Sequence, residues 1–176
     1  MQFTKDTFYI TLRNRLAALN PTRVITLNSV TRPAVVVAEN EAVIPVKLLP
    51  DAFYIEWGAA QAVPQQSGDR AIFSLECLIS YHTFGTVESG VDRGRTLAAL
   101  DTELISICQP AATLKLDYTQ STPVSLGTSI VWTMPQLGKA MGSEAPRTEA
   151  LPRATTGVRL ERSARLNVFF FSEVSF

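Results

Sequence analysis

The chain has 176 residues, of which 46% are apolar and 18% charged, and its sixteen basic residues balance sixteen acidic ones. This length and apolar content support one domain with a full core, in which about 70% of the unfolded surface is buried. A balanced charge excludes a general positive field for holding nucleic acid, and the low charged fraction favours surfaces that are covered by other subunits. The segment from Met1 to Asp6 lacks a signal-peptide layout, and no apolar run reaches the roughly 18 residues of a membrane span. A soluble protein made in the cytosol, without membrane contact, is expected.

A first helix is expected from Thr4, read as the N-cap, with Asp6 in its first turn. Phe8, Leu12, Leu16 and Leu19 draw one apolar stripe, Arg13 and Arg15 lie off it, and Asn20-Pro21 ends it. The stretch from Arg23 to Glu39 is rich in β-branched residues. Within it Ala34 to Ala38 is apolar on both faces and reads as an interior strand opened by Pro33, before a turn at Glu39-Asn40-Glu41. Ala52 to Trp57 reads as a short strand closed by Gly58, and Ala62 to Arg70 as a loop.

The next strand sets Phe73, Leu75, Cys77, Ile79 and Tyr81 against Ser74, Glu76, Leu78, Ser80 and His82. Gly85 and Gly90 bracket a turn, after which Asp92 is expected to cap a second helix. Its stripe is Leu97, Leu100, Leu104 and Ile107, widened by Ile105 and Cys108, and Pro110 stops it. Leu114, Leu116 and Tyr118 then alternate with Thr113, Lys115 and Asp117 in a further strand. Ile130, Trp132 and Met134 alternate in another. Between residues 135 and 157 periodicity vanishes, and a segment of that length is long for a loop inside a compact domain.

Val158 to Ser172 carries the strongest signal. Val158, Leu160, Ala164, Leu166, Val168 and Phe170 alternate with Arg159, Glu161, Ser163, Arg165, Asn167 and Phe169, and Arg162 alone breaks the apolar register. Phe169, Phe170 and Phe171 together call for cover on both faces. The resulting fold class is α+β over residues 1–176: an antiparallel or mixed sheet with two main helices packed on one face, a long C-terminal strand, and a loop or arm at about 135–157. The other sheet face, with Leu78, Phe169 and Phe171, is expected to meet a neighbour.

Chemistry is hard to find in these residues. His82, the only histidine, stands at a strand end without Cys or Glu at metal spacing. Glu39 with Glu41, and Asp101 with Glu103, read as solvated pairs. The glycines around Gly85 and Gly94 are too irregular to cradle a phosphate, and Ser125 and Ser129 stand in no elbow motif. Cys77 and Cys108 read as buried free thiols. No catalytic residue, cofactor or metal is therefore expected. Arg93 and Arg95 oppose the helix dipole where they stand, so they are assigned with Arg159, Glu161, Arg162 and Arg165 to contacts between subunits, and Phe169 and Phe171 join them.

The layout Leu19-Asn20-Pro21, then Arg32-Pro33-Ala34-Val35-Val36-Val37, then Phe53-Tyr54-Ile55-Glu56-Trp57, the Gly-Arg-led helix and a C-terminal strand ending in Glu173-Val174 resembles the minor tail proteins of tailed bacteriophages, specifically the tail-terminator or tail-completion group. The resemblance implies a virion protein that forms a ring, six subunits being the expected number, which closes the tail tube and meets the neck. Its implied partners are copies of itself and the tail tube, sheath or neck proteins, with no specific nucleic acid. The segment 135–157 would be an arm toward one of these. Three readings stand beside it: a neck or head-completion protein of the same particle; a small oligomeric cytosolic enzyme with a cleft joining Glu76, His82 or Asp101 to Arg93 or Arg95; and a nucleic-acid adaptor using the Arg159–Arg165 face.

Overall fold

The computed structural model describes residues 1–41, 48–64, 71–85, 91–144 and 158–172. In chain order the elements are α1 (Gln2–Leu19), β1 (Val24–Leu27), β2 (Val30–Pro33), β3 (Val35–Val37), α2 (Ala38–Glu41), β4 (Phe53–Ala62), β5 (Ile72–Thr83), α3 (Asp92–Ile107), β6 (Thr113–Asp117), β7 (Val124–Trp132), β8 (Gln136–Leu137), β9 (Met141–Glu144) and β10 (Val158–Phe171). The fold class is the expected α+β. An eight-stranded mixed sheet runs β3-β4-β5-β10-β7-β6, with β8 and β9 also on β10, while β1 and β2 form a separate hairpin. Among the described residues only β3 with β4 is parallel.

Strand β10 is the centre. One edge pairs with β5 from Leu160 opposite Thr83 to Phe171 opposite Ile72. The other is shared by β9 at Val158–Glu161, β8 at Ala164–Arg165 and β7 at Val168–Phe170. Period two then sorts the side chains: Ala164, Leu166, Val168 and Phe170 are buried against the helix layer with Leu75, Cys77, Ile79, Ile130 and Trp132. Phe8 of α1 docks between two tryptophans, edge-on to Trp57 at 5.6 Å and to Trp132 at 5.2 Å. Leu97, Leu100, Leu104 and Ile107 of α3 are buried as their spacing requires.

Several local expectations are corrected. Helix α1 starts at Gln2 with Met1 as N-cap, and Thr4 lies buried inside it; Leu19 is 50% exposed because the helix ends beyond the sheet's cover. Val91, not Asp92, is the N-cap of α3. The run Val35–Val37 is buried on both faces yet closes one end of the sheet, and Pro33 ends β2 instead of opening β3. Glu39-Asn40-Glu41 is helical, and β4 passes Gly58 through a bulge between Trp57 and Ala60. The segment read as aperiodic carries β8 and β9, too short to show a period, with residues 145–157 outside the described ones. Gly138 lets β8 lie this close: its N–H reaches Ser163 O at 2.8 Å, where a Cβ would stand 2.9 Å from the same oxygen.

β6 turns Leu114 outward and Lys115 inward. Lys115 is buried at 2% exposure and Leu114 is 57% exposed. A register shift between Leu114 and Leu116 changes the phase of the strand. The Lys115 stem packs inward, with Nζ donating to Phe171 O at 3.1 Å and lying 6.0 Å from the Phe170 ring centre. On the outer side of β6, the Thr7 hydroxyl of α1 accepts from Leu116 N at 3.0 Å and donates to Leu116 O at 3.4 Å. A helix hydroxyl thus occupies both backbone groups of an edge-strand residue. Thr7→Val keeps the volume and strands those groups, so unfolding in urea is expected to show a loss of about 1–3 kcal/mol. Leu166→Asp, a charge at a core position without a partner, is expected to abolish the cooperative transition.

Candidate functional site

Both main helices lie on one side of the sheet, so the chemistry of its other face is set by the alternate residues of each strand. Along β10 these are Arg159, Glu161, Ser163, Arg165, Asn167, Phe169 and Phe171. β5 contributes Ser74, Glu76, Leu78, Ser80 and His82, and β7, β8 and β9 contribute Val131, Gln136 and Met141 beside Phe169, Arg165 and Glu161. The face divides along β10. Toward the chain end, half-buried Phe169 and Phe171 stand near Val131 and Leu114, exposed at 44% and 57%. Toward the start of β10 the face is ionic: Arg159 Nε meets Glu161 Oε2 at 2.8 Å, and Glu161 stands opposite His82.

His82 is 3% exposed, with its ring edge-on to Phe84 at 5.5 Å and its carbonyl accepting from Asp51 N at 2.8 Å. Burial, helped by Arg159, holds its pKa below the ordinary imidazole value, against the opposing pull of Glu161 and Asp51. Among the described residues no three His, Cys, Asp or Glu side chains gather as metal ligands.

The expected interface residues do not form one cluster. Arg159, Glu161, Arg165, Phe169 and Phe171 share the open face. Arg162 has the core phase and points to the helices, where Nη1 donates to Asp101 Oδ2 at 2.9 Å and the Tyr81 hydroxyl donates to Asp101 Oδ1 at 2.6 Å. Burial, then that carboxylate, pushes the Tyr81 phenol far up. Arg93 and Arg95 stand at the start of α3, on the helix side. Two of the carboxylates considered for an enzyme cleft stand apart: Glu76 is exposed on the open face, and Asp101 is held in the knot with Arg162 and Tyr81.

Sequence reasoning missed this knot, although its signal was present. Arg162 interrupts the apolar register of a strand, and Asp101 sits between Leu97 and Leu104 on a helix stripe, so each is a charge facing the layer between them. Arg15 was missed for the same reason. Its Nη1 donates to Ile107 O at 2.8 Å and Gln109 O at 2.6 Å, closing the C-terminus of α3, while the guanidinium lies 5.2 Å from the Trp132 ring centre. Cys77 and Cys108 are free and buried, and burial pushes the Cys108 thiol up to about 12.

No family model matches the chain, and no curated protein matches it. Among solved structures, a chain described as "Virion of native gene transfer agent (GTA) particle" is similar over 96% of this chain and 94% of its own length, with 15% identity and a TM-score of 0.39. A likeness at that level decides neither fold nor function.

Two outcomes follow from the site's geometry. Asp101→Ala leaves half-buried Arg162 and buried Tyr81 without their acceptor and is expected to cost about 1.5–3 kcal/mol in denaturant unfolding. The depressed His82 pKa has a definite sign: as pH falls through the unfolded value near 6.5, the unfolded chain binds the proton first and stability drops. Unfolding midpoints are expected to be lower at pH 5.5 than at pH 7.5, and His82→Gln to flatten that difference.

Proposed function

We propose that this chain is a structural component of a phage-like virion, a single-domain subunit that assembles with copies of itself into a ring at the end of a tail tube and there meets the neck. One observation carries the reading. An eight-stranded sheet covered by helices on one side presents a second face with half-buried Phe169 and Phe171, exposed Val131, Leu114 and Met141, and the charges of Arg159, Glu161 and Arg165 around them. Apolar area framed by both signs of charge suits a protein partner: burial supplies affinity, and the ionic rim sets register and excludes wrong partners.

The charge balance agrees with this use, since a face with arginines and glutamates in one cluster neither captures an anion nor repels a copy of itself. The sequence resemblance to tail-terminator proteins supplies the place in the particle, and the segment 135–157 would serve the adjoining tube, sheath or neck. A neck or head-completion role in the same particle uses the same surfaces.

Native mass measurement across a concentration series, alone and with purified tail tubes, tests the reading. Closed oligomers, or oligomers formed only on tubes, are expected, with electron images placing them at the tube end. A monomer under both conditions overturns it. Phe171→Ser is expected to shift assembly to at least tenfold higher concentration while moving the unfolding midpoint little; equal loss of folding would assign that ring to the chain's own core.

A further inference from the structure

The sheet's two ends are finished differently. At β6 the outer backbone groups of Leu116 are taken by Thr7. At the other end β3 pairs only with Phe53–Ile55 of β4, so from Glu56 to Ala62 the outer edge of β4 has no partner strand among the described residues. Gly58, Ala59, Ala60, Gln61 and Ala62 are all exposed. Beyond the bulge, Ala60, Gln61 and Ala62 are back in register with Leu75, Ser74 and Phe73, so this half is a regular strand. Single edges are usually blunted by a lysine, a proline or a covering element. Residues 58–62 contain no charge and no proline, and four of these five are Gly or Ala, whose small side chains leave the backbone N–H and C=O groups open. The chemistry of such an edge admits one kind of occupant, an extended strand.

The same chain carries an extended strand without cover. Residues 119–127, the end of the β6–β7 hairpin, are exposed throughout, including strand residues Val124 at 53% and Leu126 at 38%. Only Leu116 opposite Ser125 and Asp117 opposite Val124 tie this part to β6. β7 pairs with β10 at Ile130–Trp132, which leaves the second edge of residues 124–127 without a partner among the described residues. Gly127, at φ 70°, adopts a left-handed conformation between this segment and the part of β7 that pairs with β10. A bare two-stranded ribbon is marginal in water and gains from a third strand.

We propose that residues 124–127 of one copy add as a strand to the Ala60–Ala62 edge of β4 in the next copy. This deepens the self-assembly part of the reading above and rests on it. Donor and acceptor lie toward opposite ends of the sheet, with β5 and β10 between them, so the contact is head-to-tail, the interface type that closes into rings. Val124 and Leu126 share one face of the donor, and the methyl groups of Ala60 and Ala62 leave room beside them.

The test is a disulfide trap. Its background is low because the native Cys77 and Cys108 are buried, and a bridge forms only where Cα atoms come within about 7 Å. The double variants A60C/L126C and A60C/V124C are expected to give a ladder of cross-linked species on mild oxidation, and mixed single variants a dimer band. Cross-linking by A60C alone overturns the proposal in favour of two-fold pairing of β4 with itself. Oligomers in native mass spectra without any cross-link overturn it while leaving self-assembly standing; monomers throughout remove both. Leu126→Lys, at an exposed site, is expected to weaken assembly at least tenfold with an unchanged unfolding midpoint, and unchanged assembly counts against the strand contact.

Discussion

β10 is the constraint on which the rest of the sheet depends. It lends one edge to β5 and divides the other among β7, β8 and β9, so among the described residues the strands on either side of it join only through β10. Along their ladder β5 and β10 are separated by 77 residues at Leu160–Thr83, rising to 99 at Phe171–Ile72, which makes this a fold of non-local contacts, slow to form by loop-closure entropy. Register matters as much as pairing. A slip of one residue would carry Ala164, Leu166, Val168 and Phe170 to the open side and bring Arg165 and Asn167 into the core. Two polar contacts pin it: Arg162 to Asp101 across the layers, and Gly138 N–H to Ser163 O at the outer edge.

The helix layer is held by a few polar side chains placed where apolar packing ends. Phe8 wedges α1 between Trp57 and Trp132, but the orientation of α1 to α3 comes from charge. Arg15 closes the carbonyls at the end of α3, and Arg23 meets Glu103 at 2.9 Å with Asn20 on the same carboxylate at 2.7 Å. Arg23 and Glu103 are only partly exposed, and Arg15 reaches the carbonyl of buried Ile107, which makes these contacts stronger than free surface ion pairs. With α1 and α3 committed to one face, neither main helix remains for the other.

Much of this was legible in the chain. The stripes Phe8–Leu12–Leu16 and Leu97–Leu100–Leu104, and the alternation of β5 and β10, are period signals long enough to survive their exceptions, and they sufficed for the fold class. What escaped was set by contacts distant in sequence. Lys115 is buried although Leu114 beside it is not, because a bulge changes phase and a lysine stem can lie inward while its ammonium finds a carbonyl. Val35–Val37 is apolar on both faces without being interior, since burial at the sheet's end comes from other layers and not from a second strand. β8 and β9 are stranded only because β10 offers them an edge. The expected interface set mixed two faces for a related reason: Arg162 was grouped with Arg159 and Arg165 by closeness along the chain, whereas strand parity puts it on the opposite side, where Asp101 waits.

Parity also separates two surfaces that serve different contacts. An edge contact between β4 and the β6–β7 hairpin runs in the plane of the sheet, so copies joined that way stand side by side and their open faces remain uncovered. The open face points across that plane, with Phe169, Phe171 and Val131 at one end and Arg159, Glu161 and His82 at the other. In the proposed assembly the two surfaces therefore do not compete. The edge joins like to like through backbone groups, which recognise a strand whatever its sequence, and the face is left for a partner recognised by side chains. That division also accounts for the composition. A backbone edge needs small residues and no charge, which Gly58, Ala59, Ala60 and Ala62 supply, whereas a side-chain interface needs bulk and charge of both signs, which the open side of β10 supplies.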